Sequence, residues 1–113
     1  MSAVFSVSKS SNGKFYFNLK AGNGLNILTS EMYEAKASAL GGIESVKANA
    51  GTDERYERKV STNGKPYFNL KAANGEVIGT SEMYESEAAR DNGIASVKTN
   101  AAGAAVHDQT ANA

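Results

Sequence analysis

Apolar and polar residues alternate with a period of two along Phe15-Tyr16-Phe17-Asn18-Leu19-Lys20. A strand here would put Phe15, Phe17 and Leu19 on one face and Tyr16, Asn18 and Lys20 on the other. The alternation returns 51 residues later as Phe68 and Leu70 against Tyr67, Asn69 and Lys71, with Pro66 in place of Phe15. Proline cannot donate to a strand ladder, so it suits the start of a strand or a sheet edge. Phe5 and Val7 hold the same phase before Asn12-Gly13, as Tyr56, Arg58 and Val60 do before Asn63-Gly64, and Asn-Gly is a favoured hairpin dipeptide. A second Asn-Gly in each half, at Asn23-Gly24 and Asn74-Gly75, leads to a short third strand around 25–28 or 76–79. Each half therefore opens as a three-stranded antiparallel meander.

Beyond Thr29-Ser30-Glu31-Met32-Tyr33 the period lengthens. Ala37, Leu40, Ile43, Val46 and Ala50 recur every three or four residues, as do Ala88, Ile94, Val97 and Ala101. We read a helix over about 35–49 and another over 86–100, each running through glycines (Gly41-Gly42, Gly93). A shorter helix ending there, followed by an Ile-x-Ser-Val strand, is the alternative. Glycine costs a helix about 1 kcal/mol against alanine, but it would let the helix lie close on the sheet. Ser30 and Ser81 are expected to cap the helices, with Glu31, Glu34, Glu82, Glu85 and Glu87 near the positive end of the dipole. After the second helix, 105–109 could form a short edge strand, and 110–113 is expected to be a mobile tail.

Sliding the chain by 51 residues superposes 12–50 on 63–101 without a gap, at about two thirds identity. Two copies are too few for a solenoid, and a module of about 50 residues buries too little surface to stand comfortably alone. The expected unit is one domain over 1–113 with an internal two-fold, repeat one spanning about 3–51 and repeat two about 54–109.

The tandem combination of NGK-x-YFNLKA-x-NG, TSEMY and NGI-x-SVK-x-NA resembles the YegP-like family of small uncharacterised proteins, from Val4 to about Val106. The first copy departs at Gly41, where the second has Asn92, and at Leu25-Asn26 against Glu76-Val77. The resemblance implies an α+β fold of two tandem β-β-β-α-β repeats sharing one antiparallel sheet, their last strands exchanged. It supports the long helices and a terminal strand at 105–109. It brings no activity with it.

Composition narrows the chemistry. The 113 residues carry 12 basic and 12 acidic side chains, no Cys and one His, His107. Disulfides, thiolate nucleophiles and Cys-ligated metals are excluded by inventory, and a net charge of zero argues against binding nucleic acid by bulk electrostatics. Ser30 and Ser81 have no His to activate them except His107, read as an exposed tail residue. Gly22-Asn23-Gly24 lacks the setting of a phosphate loop and is a hairpin turn. No catalytic residue, metal or cofactor is expected. Nothing in the sequence is apolar enough to span a bilayer, and the expected setting is cytoplasmic, as a monomer carrying its own pseudodimer.

Two surfaces remain as candidates. With both helices on one face of the sheet, Tyr16, Asn18 and Lys20 and their copies Tyr67, Asn69 and Lys71 line the open face. A duplicated stripe of aromatic, amide and ammonium groups suits a macromolecular partner, such as an extended peptide. Single-stranded nucleic acid is the alternative, through Lys14, Lys20, Lys65 and Lys71; a third possibility is a purely structural oligomerisation scaffold. The second surface is a groove walled by Met32, Tyr33, Met83 and Tyr84, whose bland counterpart is a core plug under each helix start.

Overall fold

The computed structural model describes residues 3–110; the tail at 111–113 lies outside the described residues. Repeat one supplies β1 (Val4–Lys9), β2 (Phe15–Lys20), β3 (Asn26–Thr29) and α1 (Lys36–Asn49). A 3-10 turn at Asp53–Arg55 leads to β4 (Tyr56–Val60), β5 (Pro66–Lys71), β6 (Val77–Thr80), α2 (Glu87–Asn100) and β7 (Ala105–Asp108). The seven strands form one sheet in the order β4-β5-β6-β3-β2-β1-β7. Every pairing is antiparallel except the last, β1 with β7, which is parallel and makes the sheet mixed rather than wholly antiparallel. The strand exchange is one-sided. The last strand of repeat two crosses to β1 of repeat one, whereas the residues after α1 enter the 3-10 turn and leave the outer side of β4 unpaired among the described residues.

Each β1-β2 type hairpin closes through a turn in which only the glycine takes positive φ, 83° at Gly13 and 84° at Gly64. A side chain would be strained there. Ser30 and Ser81 directly follow the third strands; they are buried and do not cap helices. Each hydroxyl accepts from a strand N–H, Phe17 at 2.8 Å and Phe68 at 2.9 Å, and donates to the next carbonyl, Glu31 or Glu82. A serine is used because its oxygen can satisfy a buried donor and acceptor together. The helices begin further on. Ser86 caps α2 by accepting from Ala89 N–H at 3.1 Å, and α1 starts at Ala35 with no side-chain cap. Glu31, Glu34, Glu82 and Glu85 consequently lie in the connections, and Glu87 is the one acidic residue in a first helical turn.

Both helices run unbroken through their glycines, so the Ile-x-Ser-Val segments are helical and not strands. Their buried stripe is shifted from the expected one: Ala37, Leu40 and Ala88 face solvent, while Ala39, Gly42, Ile43 and Val46, and Arg90, Gly93, Ile94 and Val97, face the sheet. Ile43, Val46 and Ala50, with Ile94, Val97 and Ala101, are buried as expected, whereas the N-terminal apolar residues lie out of phase with the sheet. The glycines are contact points. Tyr33 stacks on Phe17 with ring centroids 6.4 Å apart, and a Cβ at Gly42 would lie 2.5 Å from its hydroxyl. Tyr84, Phe68 and Gly93 repeat the arrangement.

The core joins both repeats. Phe5, Val7, Phe17, Leu19, Leu28, Phe68 and Leu70 are fully buried from the sheet side. Helix α1 packs on β1 and β2 and reaches β5 and β6 of the other repeat, while α2 packs on β5 and reaches β3. The two-fold passes between Thr29 and Thr80, the one paired position of β3 and β6. Leu28 and Gly79 are equivalent residues that meet beside this axis: a Cβ on Gly79 would lie 2.7 Å from the Leu28 side chain. Two leucines do not fit, so repeat one fills the axis and repeat two makes room.

Candidate functional site

The face away from the helices is built by pairing register. Directly opposed residues in neighbouring strands share a face. His107 opposes Ser6, Ser6 opposes Asn18, Asn18 opposes Thr29, Thr29 opposes Thr80, Thr80 opposes Asn69, and Asn69 opposes Glu57. One polar row therefore crosses all seven strands on the open face. It is symmetric about Thr29 and Thr80 as far as the two asparagines; beyond them Ser6 with His107 on one side answers Glu57 on the other.

The row is held internally. Thr29 and Thr80 donate to Asn18 and Asn69 Oδ1 at 2.9 and 2.8 Å. Asn26 Nδ2 donates to Thr29 at 2.9 Å, and its own Oδ1 is buried with no partner among the described residues. Asn69 Nδ2 donates to Glu57 at 3.3 Å, and Lys71 Nζ lies 3.2 Å from the same carboxylate. These two hydrogen bonds hold the Glu57 carboxyl below its ordinary range.

The six candidate residues of the open face are all half-buried on β2 and β5. They do not form one continuous stripe. β3 and β6 intervene, so β2 and β5 stand three strand spacings of about 4.8 Å apart. Because β2 and β5 run antiparallel, Tyr16 and Tyr67 flank the polar row from opposite sides. The lysines proposed for nucleic acid are largely occupied: Lys14 pairs with Glu34 at 2.6 Å, Lys65 with Glu85, and Lys71 with Glu57. Lys20 alone of the four has no ion-pair partner among the described residues.

The Met-Tyr candidates divide by residue type. Tyr33 and Tyr84 turn inward against Phe17 and Phe68, and burial, reinforced by Glu31 and Glu82 respectively, pushes both phenols above their ordinary pKa. Met32 and Met83 turn outward, each about half exposed. An open cleft of about 380 Å³ straddles the two-fold, lined by Thr29, Ser30 and Glu31 and by Thr80, Ser81, Glu82 and Met83. Of the four groove candidates, Met83 alone lines it.

The family model described as Domain of unknown function (DUF1508) matches twice, over residues 10–57 and 61–108. A UPF0339 protein of Acinetobacter baylyi is 58% identical over 97% of this chain and 99% of its own length. The UPF0339 protein YegP of Escherichia coli K12 is 54% identical over 97% and 100%. The chain belongs to this family. The solution NMR structure of a UPF0339 protein from Shewanella oneidensis superposes with a TM-score of 0.92 at 56% identity, covering 98% of this chain and 94% of that one. The structure of yegP from E. coli, described as a protein of unknown function, gives 0.92 at 55% identity, covering 97% and 95%. The family match confirms the tandem repeat and the α+β class, and the names of these relatives assign no activity.

Thr29, Thr80, Ser6, Glu57 and His107 were not among the residues chosen from the sequence. Thr-Ser-Glu is visibly repeated, but only the pairing of β3 with β6 brings its copies together. His107 is exposed as expected, yet it sits in β7 at the end of the row rather than in a tail.

Proposed function

We propose that this protein is a non-catalytic module that binds a macromolecular partner through the open face of its sheet. The observation that carries this reading is the open seven-strand face with its hydrogen-bonded polar row, which includes Asn18 and Asn69 and is flanked by Tyr16, Lys20, Tyr67 and Lys71. Asparagines already oriented by threonines lose little side-chain freedom on binding, which favours association. The residue inventory supports a non-catalytic role: one His, no Cys, and carboxylates engaged with lysines or open to water. The pairing of Lys14, Lys65 and Lys71 with carboxylates favours a protein or peptide partner over single-stranded nucleic acid. We place the module in the cytoplasm as a monomer, since the shared core already supplies the two-fold contact that a dimer of single repeats would need.

The test is an affinity capture from native lysate with wild type beside Tyr16→Ala/Tyr67→Ala, after NMR spectra establish that both are folded. A partner held by wild type and lost by the variant supports the reading, and a steep fall in retention with salt would point to nucleic acid instead. Identical profiles, or none, would show that the tyrosines are merely structural.

A further inference from the structure

β1 and β4 are equivalent strands with different neighbours: among the described residues β1 is paired on both sides, β4 only with β5. The outward groups of β1 include the carbonyl of Val7, which accepts from Gln109 N–H at 2.9 Å. The counterpart of Val7 is Arg58. Its opposite residue, Phe68, directs its N–H and C=O to Ser81, so Arg58 and Phe68 form a non-hydrogen-bonded pair. The N–H and C=O of Arg58 therefore point away from β5, and so do those of Val60, opposite Pro66. The 3-10 turn takes Tyr56 N–H onto Asp53 O and reaches no further along the strand.

β7 shows what such an edge accepts. It runs parallel to β1, from Val4 opposite Ala105 to Val7 opposite Asp108. Lys36, the first residue of α1, clamps it with Nζ 2.6 Å from Asp108. The counterpart of Lys36 is Glu87, the first residue of α2, exposed and in no ion pair among the described residues. Asp91, one turn further along α2, bonds Arg58 at 3.1 Å, which places the start of this helix beside the β4 edge. Glu87 thus stands at the position of the clamping lysine, beside Arg58, which takes the place of Val7 and is held by Asp91.

We propose that the outer edge of β4 is a docking site for an extended peptide segment that runs parallel to β4 and carries Lys or Arg where β7 carries Asp108. This is strand addition to an open edge, in which backbone hydrogen bonds hold the segment and one side chain selects it. A second copy of this chain offering its own β7 would bring Asp108 against Glu87, so the occupant is a different, basic sequence. Arg58 and Lys59 on the strand discourage indiscriminate edge pairing. The site is the edge of the sheet and stands independently of the open face.

Two capped hexapeptides titrated into the full chain test this: Ala-Val-His-Lys-Gln-Thr and the native β7 sequence Ala-Val-His-Asp-Gln-Thr. At millimolar concentration the Lys peptide is expected to shift the Arg58 and Val60 amide resonances and to bind about two- to fivefold more tightly than the Asp peptide, the scale of one exposed ion pair. Glu87→Gln should remove the preference and Glu87→Lys invert it. Equal binding of both peptides, an unchanged preference in Glu87→Lys, shifts at β7 in place of β4, or no response at β4 would each overturn the proposal.

Discussion

At Gly42 the backbone of α1 comes so close to Tyr33 and Phe17 that an added methyl would lie 2.5 Å from the hydroxyl and 2.9 Å from the ring edge, whereas its neighbour Gly41 faces open space. The two adjacent glycines should therefore respond with opposite signs to the same substitution. Gly41→Ala is expected to stabilise the fold by about 0.5–1 kcal/mol, through helix propensity alone. Gly42→Ala forfeits that gain to overpacking, typically about 1–3 kcal/mol, and should be destabilising. Urea midpoints of the two variants decide it; equal effects would show that the tyrosine does not hold the helix at this distance. Gly41-Gly42 was legible as a place where the helix approaches the sheet. Which glycine makes the contact was not, because helical phase is set by what lies beneath.

Two elements carry the asymmetry between the repeats. β3 and β6 meet at the axis with Leu28 filling space that Gly79 vacates. Leu28→Gly should cost at least the 2–5 kcal/mol of a buried leucine truncation, and Gly79→Leu should fail by crowding. The double exchange, which moves the leucine across the axis, should recover at least half of the summed loss in chemical denaturation. Additive losses would mean that the two positions do not share one space. β7 is held by its ladder to β1 and, at its end, by an exposed ion pair. The Lys36 ammonium, then Thr110, hold the Asp108 carboxyl down to about 2 from an ordinary value of 3.8. A depressed carboxylate pKa contributes stability above the ordinary value, and this is lost as pH falls through the folded value. β7 amides should thus lose exchange protection between about pH 4 and pH 2, and Lys36→Met should raise the Asp108 midpoint toward 3.8. A wild-type midpoint already near 3.8 would show that the pair does not hold the strand.

At the scale of the molecule, the repeats complete one another. A chain cut in the segment between α1 and β4 gives two fragments whose homodimers are unequal to the native pairing: two copies of repeat one oppose Leu28 to Leu28, and two of repeat two oppose Gly79 to Gly79. One is overfilled and the other leaves a void, and both are costly in a close-packed interior. Mixed fragments should therefore associate in preference to either homodimer, as native mass spectrometry of the mixture would show. A statistical distribution of the three pairings would mean that the axis residues do not discriminate. The exchanged β7 adds to the preference, because it reaches β1 only from the other repeat.

The repeat, the meander of each half, both helices and the division of each strand into an apolar and a polar face are legible in the sequence. Those features rest on local periods and turn dipeptides, which act over a few residues. The sequence also placed Tyr16, Asn18, Lys20, Tyr67, Asn69 and Lys71 on the open face, because alternation alone does so once the apolar side is covered. Which strands lie between them, that Ser30 and Ser81 bind strand amides in place of capping helices, and that β1 gains a neighbour in β7 while β4 has none there among the described residues were settled by tertiary contacts. Strand order and the fate of the last strand depend on contacts between residues far apart in the chain. Two-thirds identical repeats predict equal halves until the axis is reached, and there two equivalent side chains compete for one volume and only one can be large.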